Sequence, residues 1–102
     1  MLEIILDLPS IHKKVLAIIL ELHNKESEIN SKKIFEIYDG TRFFKKLNYS
    51  RISQIITSLQ KEKIIYVKGS NGNNLRKLSI GENVEEIKKG LLESGQTLDG
   101  EF

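Results

Sequence analysis

The 102-residue chain predicts a mainly α fold completed by a β-hairpin. Three observations carry that reading. Ile52, Ile55, Ile56 and Leu59 recur at i, i+3, i+4 and i+7, the stripe of one helix face. Ile11, Val15, Ile18, Ile19 and Leu22 repeat the same periodicity earlier in the chain. Between residues 64–68 and 75–80, two strand-like runs flank a cluster of glycine and asparagine containing Asn71-Gly72, a strong turn dipeptide.

In chain order, residues 2–8 are apolar apart from Glu3 and Asp7 and read as a short helix or an extended lead-in. Pro9 punctuates, and Ser10 is a candidate cap for a central helix over 11–22, widened by Leu16, Ala17 and Leu20. Residues 24–28 form a polar connection, and Ile29 suits a one-residue bridge. Asn30 and Ser31 can cap a second helix, because their side chains can accept from its free amides. Ile34, Phe35, Ile37 and Tyr38 would form its buried side, and Gly40 can end it in the left-handed conformation. Phe43, Phe44 and Leu47 anchor the next segment. Ser50 is the expected cap of the third helix. Ile64-Ile65-Tyr66-Val67 is β-branched and aromatic, and in the return run Leu78 and Ile80 share a face with Arg76. After Gly81, Val84, Ile87, Leu91 and Leu92 make a last amphipathic helix whose early glutamates suit its positive end.

The order is helix, bridge, helix, helix, hairpin, helix. That is a winged helix, a helix-turn-helix variant with a hairpin wing, here with about ten residues between its second and third helices. Residues 1–8 would be a lead-in or linker remnant whose exposed apolar side chains invite docking, 9–93 the domain, and 94–102 a flexible tail.

Composition excludes several classes. With no cysteine there is no disulfide framework and no thiolate metal site, and His12 and His23 alone do not make a zinc site. The longest apolar run, residues 15–20, is far short of the roughly 20 residues needed to span a membrane. No phosphate-binding glycine loop and no nucleophile elbow is present, so the chain is not expected to be an enzyme and no cofactor is expected. The expected location is cytoplasmic, associated with the nucleoid.

The formal charge of +2 is unevenly spread. Residues 1–40 carry net −2, residues 41–80 net +8 with Glu62 their only acid, and residues 81–102 net −4. A cationic block over the third helix and hairpin suggests a polyanion, namely double-stranded DNA. The third helix, about 50–62, would enter the major groove. There Arg51 can read guanine with two hydrogen bonds and Gln54 can read adenine. Ser50, Thr57, Lys61, Lys45 and Lys46 would hold phosphates. The wing, about 64–80, would bring Lys68, Arg76 and Lys77 to the backbone or minor groove, with Asn71, Asn73 and Asn74 at its tip.

Several segments then resemble one family. Leu8-Pro9-Ser10-Ile11-His12-Lys13-Lys14-Val15-Leu16-Ala17-Ile18-Ile19-Leu20 resembles the opening of the C-terminal winged-helix domain of archaeal Orc/Cdc-type replication initiators. Ile37-Tyr38 is similar to the end of that domain's second helix. Tyr49-Ser50-Arg51-Ile52-Ser53-Gln54-Ile55-Ile56-Thr57-Ser58-Leu59, followed by Lys63-Ile64-Ile65, resembles its recognition helix and the step into its wing. The similarity spans residues 2–80. It implies origin-DNA binding, with an upstream AAA+ ATPase domain or another replication protein as a partner. Ser50 stands where the family has the first of two arginines, and asparagines replace wing arginines. These departures favour phosphate-dominated binding over sequence-specific reading. Two other functions are compatible with the same fold: a stand-alone transcription regulator using this surface, and a protein-interaction or dimerisation module with no DNA role.

Overall fold

Two buried isoleucines in succession decide where the hairpin starts. The computed structural model describes residues 1–41, 46–71 and 75–95. Its elements are α1 (Leu2–Leu6), α2 (Ser10–Asn24), α3 (Ser31–Asp39), α4 (Tyr49–Lys61), β1 (Tyr66–Asn71), β2 (Leu75–Ser79), a 3-10 turn (Gly81–Asn83) and α5 (Val84–Glu93). Residues 64–65 were expected to open the first strand, but Ile64 and Ile65 are both fully buried. An extended strand sends neighbouring side chains to opposite faces, so it could not bury both on one core. The chain instead turns at Lys63, whose φ is +60°, and β1 begins at Tyr66. Asn83 Nδ2 donates to the carbonyls of Lys63 and Ile64, 3.0 Å each, and fastens this turn to the entry of α5.

Helix α2 is central. Val15, Leu16, Ile18 and Ile19 are fully buried, joined by Ile34 and Tyr38 from α3 and by Ile52, Ile55, Ile56 and Leu59 from α4. Leu78, Ile80, Ile87 and Leu91 complete the core. Each such burial contributes roughly 1.5–3 kcal/mol relative to an exposed side chain. On α3, Ile37 is exposed rather than buried, and Phe35 is only partly covered. Leu92 faces outward from α5 at 71 % exposure.

The helix caps differ from expectation by one or two residues. Pro9, not Ser10, precedes α2, and its φ of −57° already suits helix entry. Asn30 caps α3, its side chain accepting from Lys33 N at 2.8 Å. Asn48, not Ser50, caps α4, accepting from Arg51 N at 2.8 Å. Tyr49 is held in the first turn by its own contacts. Its hydroxyl lies 2.7 Å from buried Ser31 Oγ, and its ring meets Phe35 edge-on at 5.6 Å. Gly40 stays right-handed at φ −78° rather than left-handed, and Thr41 Oγ1 donates to the Ile37 carbonyl at 2.9 Å at the α3 terminus. Accordingly, Asn48→Ala should cost about 0.5–2 kcal/mol in urea unfolding, while Ser50→Ala should change stability little. Equal losses would remove Asn48 as the cap.

The hairpin is antiparallel, with Tyr66 opposite Ser79 and Val67 opposite Leu78. Its register shifts between Val67 and Gly69, so Lys68 sits at a bulge. Leu78 N donates to the Ile29 carbonyl at 2.8 Å, and Asn30 pairs with Lys77, one residue beyond the expected bridge.

The apolar lead-in covers part of its apolar surface and leaves Ile4 38 % exposed. It is helix α1, lying on α5, with Ile5 fully buried. A Cβ added at Gly90 would come within 2.5 Å of Ile5 Cγ2, so the absence of a side chain there lets the two helices approach.

Candidate nucleic-acid interface

The same periodicity that buries Ile52, Ile55, Ile56 and Leu59 turns Ser50, Gln54 and Lys61 to the opposite side of α4. Ser50, Gln54 and Lys61 are exposed there, and Arg51 is exposed on one flank. Partial burial, and secondarily the Arg51 guanidinium, hold the His12 imidazole below its ordinary pKa.

The other flank, Ser53, Thr57 and Gln60, is covered by the hairpin. Arg76 belongs to the same strand face as buried Leu78, so its side chain points inward to α4. Nη1 donates to Thr57 Oγ1 at 2.9 Å and to Gln60 Oε1 at 3.4 Å. Nη2 donates to the Ser53 carbonyl and to Ser53 Oγ, both at 2.8 Å. Thr57 Oγ1 in turn donates to the Ser53 carbonyl at 3.0 Å. This changes the roles expected of two residues. A phosphate oxygen needs a donor, and the Thr57 proton is already committed to Ser53. Arg76 has its terminal N–H groups directed at α4. All four of these acceptors are neutral, and among the described residues no carboxylate forms an ion pair with Arg76.

Lys77 lies on the other strand face and pairs with Glu28 at 3.4 Å. Glu28 also accepts from Asn30 Nδ2 at 2.9 Å. The Asn30 bond first, and Lys77 next, hold the Glu28 carboxyl below its usual pKa. One asparagine thus caps α3 with its oxygen and steadies the hairpin's anionic anchor with its nitrogen. Beside this pair a cleft of about 620 Å³ is lined by residues that include His23, Glu26, Glu28, Lys68 and Lys77, so acids and bases are mixed there. Lys46 pairs with Asp39 at 3.6 Å.

The expected site residues therefore separate. Ser50, Arg51, Gln54, Lys61 and Lys68 are exposed, and among the described residues no carboxylate forms an ion pair with Arg51, Lys61 or Lys68. Thr57 and Arg76 are bonded to each other, and Lys46 and Lys77 have anionic partners. Asn71 is the last residue of β1. Lys45, Asn73 and Asn74 lie outside the described residues. Ser53, Gln60 and Glu28 were not anticipated. Ser53, Thr57 and Gln60 recur at i, i+4 and i+7, a column of hydrogen-bonding groups, and Arg76 alternates in phase with Leu78. Together those two patterns were the available signal.

Among the described residues, no group of three or more His, Cys, Asp and Glu could hold a metal ion, and no helix is long and apolar enough to cross a membrane. No family model, curated protein or solved structure shows significant similarity to the chain.

Proposed function

We propose that this chain is a winged-helix domain that binds double-stranded DNA, with α4 in the major groove and the β1–β2 hairpin along the adjoining backbone or minor groove. The observation that carries the proposal is the exposed face of α4. It presents Ser50, Gln54 and Lys61 flanked by Arg51, and Glu62 is the only acid in residues 41–80. The order of elements supports it, as does the hairpin's position against the flank of that helix. Arg51 and Gln54 are the candidate base readers. Lys61, Lys68 and Ser50 are the phosphate ligands, with Arg76 contributing charge from the junction. Of the possible biological settings, the proposal takes the origin-DNA module of an archaeal replication initiator, on the resemblance of residues 2–80. In that setting an AAA+ ATPase domain is a partner, the chain acts on the nucleoid, and no catalysis is assigned to it.

The test is a salt series with a short duplex. The four exposed or unneutralised cations, Arg51, Lys61, Lys68 and Arg76, predict a loss of about a hundred- to two-hundredfold in affinity between roughly 50 and 200 mM salt. Absence of duplex binding at the lowest salt would overturn the proposal and leave the protein-interaction alternative. A comparison of origin-like with random duplexes separates base reading from phosphate-dominated binding.

A further inference from the structure

We infer that Arg76 is a positioning residue, a fork that fixes the hairpin against α4 so that the two arms meet DNA as one preformed unit. This rests on the DNA-binding reading above and adds to it a role for a residue expected merely to touch phosphate.

The geometry separates a fork from a point charge. A guanidinium is planar and directs two N–H groups from each terminal nitrogen. Here both nitrogens are used on one helix flank. Nη2 grips Ser53 through its carbonyl and its hydroxyl, and Nη1 reaches Thr57 and Gln60 further along α4. The Thr57 hydroxyl closes the set by donating to the carbonyl that Nη2 also uses. Two neighbouring atoms of one rigid group are thus bonded to successive turns of one helix, which restrains rotation as well as distance. A lysine ammonium at the same place keeps the charge but has no fixed fork.

The opposite face of β2 is held independently. Lys77 pairs with Glu28, which Asn30 holds, and Asn30 caps α3. Adjacent residues of one strand therefore brace the hairpin to α4 on one side and to the start of α3 on the other. An isolated two-stranded hairpin is marginal in water, so its orientation depends on such ties. Lys68, at the bulge of β1, is the exposed cation whose distance from Lys61 and Arg51 they set. A preset spacing lowers the ordering cost of binding through both arms at once.

The experiment combines Arg76→Ala, Arg76→Lys and Lys68→Ala in the full chain, with two readouts. In amide hydrogen exchange, both Arg76 variants should speed exchange in β1 and β2 while the amides of α2 keep wild-type rates. In duplex binding, Lys68→Ala should lower the wild-type salt slope by about 1, the value for one phosphate contact. It should lower it by clearly less in either Arg76 background, because a loosened wing no longer delivers Lys68 in register. Arg76→Lys should weaken binding nearly as much as Arg76→Ala. Two results overturn the inference: hairpin exchange unchanged in both variants, or full rescue of affinity and of the Lys68 effect by lysine, which would make Arg76 a simple charge. If the wild-type chain binds no duplex, the functional reading falls by itself and the exchange arm still decides whether the fork holds the hairpin.

Discussion

Ile56→Ala is expected to remove about 2–5 kcal/mol of stability. Ile56 is fully buried on the inner stripe of α4 and sits in the core with α2 and the hairpin residues. Truncation removes three carbons from a site whose neighbours are themselves buried isoleucines and leucines, which collapse only partly into the space. Native domains have roughly 5–15 kcal/mol in total, so this one change consumes a large share. For a domain of this size each kcal/mol moves Tm by about 4–8 °C, and a fall of roughly 10 °C or more should follow. Urea unfolding checks it: the midpoint should drop with the slope unchanged. Leu92→Ala is the control, since Leu92 is 71 % exposed and its removal should cost less than about 0.5 kcal/mol. Comparable losses for both variants would mean that α4 is not seated on this core.

The elements that were legible in the chain are those whose signal is burial at a local period. The α4 stripe and the Leu78–Ile80 alternation each repeat within a few residues, and each is buried as its period requires. What could not be read locally depends on which of several equivalent groups wins. Asn48 and Ser50 have similar capping preference. The decision falls to Tyr49, which is drawn into the helix by Ser31 and Phe35 of α3. That the lead-in packs on α5 depends on Gly90, a residue distant in sequence whose bare Cα admits Ile5. Of the candidate site, the position of the cationic block was legible, because charge is additive along a chain. Its internal accounting was not. Whether Lys77 is available depends on Glu28, and whether Thr57 is available depends on Arg76, across folded distances that periodicity does not encode.

That accounting bears on the largest functional effect expected. Arg51→Glu combined with Lys61→Glu should weaken duplex binding about a hundredfold or more at 50 mM salt, and lower the salt slope by about 1, the share of the Lys61 phosphate contact. Both side chains are exposed, and no carboxylate among the described residues forms an ion pair with either. Their positive charge is therefore available to the duplex, Lys61 to a phosphate and Arg51 to a base edge, and reversing it adds repulsion to the loss of two contacts. The fold should survive, since neither side chain enters the core, and an unchanged circular dichroism spectrum and Tm would establish that. Lys88→Glu with Lys89→Glu is the matched control. It changes net charge by the same amount on α5, in the acidic end of the chain, and should alter affinity less than about threefold at the same salt. The comparison separates a binding face from mere cationic character. Were the chain held to DNA by overall charge alone, the two double variants would weaken binding alike. The assignment of α4 as the element that meets the duplex would then be wrong.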